Sequence, residues 1–391
     1  MKKYNKLESQ NHIKTLSQKI LKRKIGLVVG TRPGIVMFSP IIRECKKRRI
    51  NHFVIHAGQH YSANMDEDFF KDLKLDKPRY RLTNVRRYKL HGSQTARMIE
   101  GIEKILLKER PKILLVGGDA NCNLAGALAA RKLQIKVGHI EAGERSYDWR
   151  MPEEHNRVII DHISDLLFTT NKKGKSNLRK DGARGKICIT GNPIVDAAYQ
   201  NKDIAYLRSR VLEKFGLQPE EYFVMTTHRE ENVDNRANLL GILNGIRKVA
   251  CDLNKTIIFT IHPRTRTRLK KFRLYDFVKK IPNVKIIQPV GYLDFIRLIT
   301  YAKLIMTDSG GVQQESCILG VPCITFRDNT EWTETLDIGA NRLCGTNSEA
   351  IFKNAKDMLR KKNDWKNPFG SGDAAKKIIS LTSKYAFEEV I

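Results

Sequence analysis

Leu304-Ile305-Met306-Thr307-Asp308-Ser309-Gly310-Gly311-Val312-Gln313-Gln314-Glu315 carries the reading of the whole chain. The apolar run Leu304–Met306 reads as a short buried strand, and Gln313–Leu319 as the first turns of a helix. A small-residue turn between them leaves backbone N–H groups facing outward. Ser309, Gly310 and Gly311 carry little side chain to block them, so a phosphate can approach closely. Glu315 lies one turn into the helix, where a carboxylate can accept from a ribose diol. The competing reading is an ordinary turn that uses glycine for tight packing.

Working outward, the same rhythm recurs in both directions. Ile25–Val29, Phe53–His56, Ile113–Val116, Val137–Ile140, Leu166–Phe168 and Ile187–Ile189 are short apolar runs separated by helical segments at 35–48, 95–108 and 123–132. Gly30–Gly34 reads as a loop. After the turn signal Gly191-Asn192-Pro193 the alternation restarts with Phe223–Thr226, a helix at 236–251, Thr256–Ile261, Val284–Pro289, Leu304–Thr307 and Cys323–Phe326. Continuous apolar strands alternating with helices predict a parallel sheet covered on both faces. The expected architecture is α/β: a basic arm at 1–23, a first Rossmann-like domain at 24–192, and a second at 193–372, with a cleft between the two. Ligands of such sheets bind beyond the carboxyl ends of the strands, where the polar motifs of this chain fall.

The chain has 391 residues, with 71 Lys and Arg against 42 Asp and Glu, a net charge of +29. That excess favours acidic partners. Neither an RNA-binding pattern with interleaved aromatics nor a helix-turn-helix is present, so no specific nucleic acid is expected. No metal-ligand spacing occurs, and no metal is expected. Seven scattered cysteines without Cys-x-x-Cys suit thiols in a reducing compartment. Neither a leader-like apolar core at 1–24 nor a run of about 20 apolar residues is found, which predicts a cytoplasmic protein with no membrane partner. The first strand is followed by neither Gly-x-Gly-x-x-Gly nor a Walker loop, so neither a nicotinamide cofactor nor nucleoside triphosphate hydrolysis is supported. No cofactor is expected.

The candidate site residues sit at strand ends. The first half offers Arg32, Asp119, Glu141 and Arg145, with Glu153 and Glu154 at a helix start after Pro152. The second half offers His228, Arg229, His262, Arg264, the Ser309–Gly311 turn, Glu315 and Arg327. Three acids near one cleft raise one another's pKa, so one can stay a proton donor while another is a base. The competing reading for each is a cap or a salt bridge. That reading is preferred for Glu154 and weighs on Asp119. Arg32 and the His228-Arg229 pair suit phosphate charge.

These residues belong to a set that resembles the non-hydrolysing UDP-N-acetylglucosamine 2-epimerases from about Lys24 onward. The motifs are Gly-Thr-Arg-Pro at 30–33, Gly-Gln-His at 58–60, Gly-Asp at 118–119, His-Ile-Glu-Ala-Gly at 139–143 and Met-Pro-Glu-Glu at 151–154 with Asn156-Arg157. Thr-Gly-Asn at 190–192, His-Arg at 228–229, Thr-Asp-Ser-Gly-Gly at 307–311 and Arg-Asp at 327–328 complete the set. The resemblance implies a GT-B-like arrangement of the two domains, a homodimer, and a C-terminal helix, 373–391, packed back on the first domain. It implies interconversion of UDP-GlcNAc and UDP-ManNAc, for glycan biosynthesis, by loss and re-addition of UDP through a 2-acetamidoglucal. Asp119, Glu141 and Glu153 are then the acid/base group and His228 the diphosphate partner. Arg32, Ser309, Gly310 and Glu315 contact UDP. The chain departs from the family at Gly34 and Met37, where many members carry Glu and Lys, and at Glu144, where leucine is usual. Trp332, within Glu331–Glu334, also occurs in relatives that act on UDP-2,3-diacetamido-glucuronate, the alternative substrate; a glycosyltransferase on the same fold is a further alternative. Ser62 departs from the pattern of members with an allosteric substrate site at Gln59 and His60, and such regulation is not expected.

Overall fold

The computed structural model describes residues 24–58, 69–88 and 90–387; the arm at 1–23 and positions Gln59, His60 and Ser62 lie outside them. Two compact units are present, Met1–Ala197 with Gly370–Ile391, and Ala198–Phe369.

The first unit holds a seven-stranded sheet of β1 (Ile25–Val29), β2 (His52–His56), β3 (Tyr80–Arg81), β4 (Ile113–Gly117), β5 (Lys136–Ile140), β6 (Leu166–Thr169) and β7 (Lys186–Ile189). Their order is β3-β2-β1-β4-β5-β6-β7, and every pair is parallel. Strands β1 and β4 are buried throughout because helices cover both faces, which is why they read as unbroken apolar runs. Helix His91–Glu109 places Met98, Ile102 and Leu106 four residues apart on one face against Phe53, Ile55 and Leu114. Helix Asn121–Lys132 packs closely through Ala125 and Ala129, with Gly126 against Val28 and Val116.

The first helix begins at Arg32, earlier than the predicted 35. Thr31 Oγ1 accepts from the Gly34 N–H at 3.2 Å, and Pro33 presets the first turn, so the segment read as a loop is a capped helix start. The C-terminal helix Ala374–Phe387 is tied to the same unit. Asp196 accepts the N–H groups of Ala374 and Ala375 at 3.1 and 3.0 Å, satisfying two orphan donors of that helix. Arg48, just past helix Arg32–Lys47, donates to Ser380 and to the Lys376 carbonyl.

The second unit contains β8 (Tyr222–Thr226), β9 (Thr256–Thr260), β10 (Val284–Ile287), β11 (Leu304–Thr307), β12 (Cys323–Thr325) and β13 (Asn341–Leu343). The order β10-β9-β8-β11-β12-β13 repeats the first unit's pattern, again all parallel. Both sheets are therefore Rossmann-type, with strand order reversing between β1 and β4 and between β8 and β11. The α/β expectation of two Rossmann-like sheets is borne out. Among the described residues no helix is long and apolar enough to cross a membrane.

Candidate active site

In the first unit, the reversal point places the ends of β1, β4 and β5 side by side. Gly118 turns the chain out of β4 at φ 77° and presents Asp119. Glu141 leaves β5 at φ 67°, a left-handed conformation that costs a non-glycine residue about 1 kcal/mol and is held only where surrounding contacts impose it. Here Asn192 Nδ2 donates to Glu141 Oε1 at 2.7 Å. Met37 lines the same spot: a Cβ on Gly118 would lie 3.4 Å from Glu141 Oε2 and 3.8 Å from Met37 Cε. Desolvation is the main cause that pushes the Glu141 carboxyl up to about 8. The charges of Glu144 and Asp119 add to the rise; the Asn192 hydrogen bond and Arg157 oppose it.

Asp119 is half-buried and ion-paired to Arg157 Nη2, and its carbonyl accepts from Asn156 Nδ2 at 2.8 Å. Arg157 also reaches Glu154 at 2.7 Å. Glu154 is buried and accepts from the Ser146 N–H, the Ser146 hydroxyl and the Tyr147 N–H. Although burial opposes it, this set of donors holds the Glu154 carboxyl below its ordinary range, as suits a structural cap. Glu153 lies in the first turn of helix Pro152–Ile163. It is half-buried, and its carboxylate has no hydrogen bond or ion pair to another described residue.

Beneath these loops is a buried polar network. His139, fully buried on β5, sets Nδ1 at 2.7 Å from Asp161 and Nε2 at 3.2 Å from the Gly118 carbonyl. Asp161 also accepts from the Gly143 N–H and pairs with Arg145 at 2.7 Å. Arg145 reaches Asp181 at 2.9 Å and is 1% exposed. Its guanidinium is thus committed inside the unit and faces no solvent. Arg32 is half-buried in its helix's first turn, with its guanidinium 5.5 Å from the Phe69 ring centroid.

In the second unit, Asp308 joins the ends of β8 and β11. It is fully buried and accepts from Thr227 Oγ1, the His228 and Arg229 N–H groups, and Asn232 Nδ2. His228 Nδ1 lies 3.5 Å from Asp308, and its ring is 5.3 Å from that of His262. Desolvation is the main cause lowering both histidines, so both are neutral at pH 7. The Arg264 donors are taken up by Asp234 and Glu230, an exposed ion-pair cluster.

Ser309 precedes helix Gly310–Ile318, and no side chain caps its first N–H groups. A helix start left uncapped in this way has the dipole and free amides that can accommodate an anion. Gly311 has open space where a Cβ would point, whereas a Cβ on Gly310 would collide with the Glu331 carboxylate. Glu331 pairs with Arg327 at 2.8 Å and with Arg229 at 3.5 Å. Glu315, half-buried, accepts from Tyr292 Oη at 2.9 Å, and desolvation pushes its carboxyl up to about 7.

Each unit therefore gathers most of its own candidates: Asp119 and Glu141 in the first, with Glu153 beginning the helix that carries Arg157; His228, His262, Arg229, Ser309–Gly311 and Arg327 in the second. Arg145 and Arg264 are held elsewhere by carboxylates. Several supporting residues escaped the sequence reading. Asn192, Arg157, Asp308 and Glu331 stood in quoted segments without a role; Tyr292 gave no local signal.

Two Rossmann-type units in one chain, one bearing paired acids at its strand reversal and the other an open helix start, define a two-unit α/β protein of the kind that enzymes are built on. A family model described as UDP-N-acetylglucosamine 2-epimerase matches residues 43–383. The UDP-N-acetylglucosamine 2-epimerase of Methanocaldococcus jannaschii is 50% identical over 361 residues, 92% of this chain and 98% of that protein. The crystal structure of that organism's UDP-GlcNAc 2-epimerase in complex with UDP-GlcNAc and UDP matches with a TM-score of 0.83 at 50% identity, covering 92% of this chain and 99% of that one. A UDP-2,3-diacetamido-2,3-dideoxy-D-glucuronate 2-epimerase of Pseudomonas aeruginosa is 37% identical over 367 residues, 92% of this chain and 99% of that protein. The chain belongs to the UDP-N-acetylglucosamine 2-epimerase family, as its motifs led one to expect.

Proposed function

We propose that the chain interconverts UDP-GlcNAc and UDP-ManNAc without a cofactor. The C2 proton is removed while the C1–O bond breaks and its electron pair leaves with UDP. The resulting 2-acetamidoglucal is protonated at C2 from the opposite face, and a diphosphate oxygen re-forms the bond to C1. The observation that carries this reading is the contrast between two neighbouring carboxyls. Asp119 is ion-paired to Arg157, whereas Glu141 is desolvated and protonated at neutral pH. Environments that differ in this way divide base from acid. Asp119 is assigned as base and Glu141 as acid, with Glu153 as the third proton-transfer group.

In the second unit, the amides of the Ser309–Gly311 turn take the diphosphate, and His228 donates to its leaving oxygen. Arg229 and Arg327 balance its charge, Glu315 accepts from the ribose, and His262 stands beside His228. Arg32 of the first unit is assigned to the phosphate charge. We further assign a homodimer in the cytoplasm. The alternative substrate, UDP-2,3-diacetamido-glucuronate, is favoured by Trp332, whose ring packs edge-on against Phe369 at 5.4 Å. A clear rate preference for the uncharged sugar removes it.

Incubation with UDP-GlcNAc in deuterated water is expected to give UDP-ManNAc with deuterium at C2. Asp119→Asn and Glu141→Gln each lower exchange by about 10²–10⁴-fold while UDP still binds. UDP binding without C2 exchange by the native protein overturns the proposal.

A further inference from the structure

The turn that follows β7 has no part in the chemistry above, yet it reaches the acid. Asn192 is fully buried. Its Oδ1 accepts from the Ile194 N–H at 3.0 Å, which fixes the amide, since only an oxygen can accept there. Nδ2 is thereby aimed at Glu141 Oε1, 2.7 Å away. The turn is itself held from behind. The Thr190 N–H bonds the Thr169 carbonyl at 3.0 Å, and a Cβ on Gly370 would lie 3.2 Å from Gly191 Cα. Four residues beyond Asn192, Asp196 caps the C-terminal helix. Asn192 is therefore a rigid donor, and Glu141 a side chain on a left-handed backbone that needs one.

We infer that Asn192 is a positioning residue for the epimerase reaction: its Nδ2 holds the Glu141 carboxyl in one rotamer and occupies Oε1, leaving Oε2 to carry the transferred proton. The inference rests on Glu141 as the acid. Around that carboxyl stand Glu144 on its own loop, Asp119 from the end of β4, Arg157 from helix Pro152–Ile163, and the uncharged Met37 from helix Arg32–Lys47. Asn192 supplies a donor that favours ionisation. Its loss makes the proton harder to release and frees the carboxyl to turn toward Asp119.

Asn192→Asp tests this, with Asn192→Ser, which adds no charge, beside it. Aspartate caps a helix start as well as asparagine, so the Ile194 bond and the turn survive. The donor to Glu141 is replaced by a second carboxyl, whose charge opposes ionisation of Glu141 in the same direction as the loss of the donor. The expected result is a loss of about ten- to a hundredfold in kcat for C2 exchange, the worth of one hydrogen bond to an ionisable group. UDP affinity and KM stay near the native values, and the pH-rate limb that Glu141→Gln abolishes moves to higher pH. Native exchange and an unmoved limb in Asn192→Asp, with Glu141→Gln inactive, overturn the inference and leave Glu141 as the acid. Full exchange in Glu141→Gln overturns the assignment of Glu141 itself. If Asn192→Asp does not fold, Asn192→Ser, too short to reach Glu141, is read by the same outcomes.

Discussion

Glu141→Gln should make the protein more resistant to heat at alkaline pH, even as it removes activity. In the folded protein the Glu141 carboxyl is raised from 4.5 to about 8 by desolvation. In the unfolded chain it ionises at its ordinary value. A carboxyl raised in this way favours the fold fully below the lower value, and its contribution is lost as the pH climbs through the upper one. Each pH unit in that window is worth about 1.36 kcal/mol, so between about pH 5 and about pH 9 the native protein forfeits about 4 kcal/mol. The solvent-facing edge of the half-buried carboxyl trims this to about 3 kcal/mol. Glutamine fills the same space, still accepts from Asn192, and never ionises. For a unit of this size that difference is roughly 10 °C in melting temperature. The assay is thermal unfolding of both proteins at the two pH values. The variant should gain on the native protein as pH rises. A gap that stays constant across the range refutes the claim that Glu141 is desolvated by Met37 and its loop.

Two further outcomes concern the nucleotide side. Gly310→Ala drives a methyl into the Glu331 carboxylate and disturbs its pairs with Arg327 and Arg229. Losing one charge-assisted contact to the diphosphate costs about 2 kcal/mol, so calorimetry should show UDP binding weakened roughly thirtyfold; unchanged affinity argues against the anion site. For Glu315, whose carboxyl titrates at about 7, the ionised form is the better ribose acceptor. UDP-sugar affinity should therefore rise with pH through neutrality, and Glu315→Gln should flatten the profile, whereas a parallel rise in the variant assigns the effect to another group.

Apolar runs of four or five residues, separated by helical segments, were enough to read two parallel α/β halves. Such strands are buried on both faces, and that burial is a local property of their side chains. The strand ends were legible too, because short polar motifs follow apolar runs directly. Helix starts are less so: at Arg32 a Thr cap followed by Pro and Gly resembles a turn until its hydrogen bond is seen.

The local pattern of residues determined which segments became strands, where each sheet's open ends lay, and which acids and glycines stood there. What it left undecided was partnership. Asn192 meets Glu141 across 51 residues of chain, Arg157 meets Asp119 across 38, and Arg145 turns inward to Asp161 instead of outward to solvent. Those choices depend on strand order, which places β4 beside β5 and brings the turn after β7 back to the acid. They set how deeply each carboxyl is stripped of water. Charge and desolvation act through space, so an acid and a buried brace look alike until the fold brings their neighbours together.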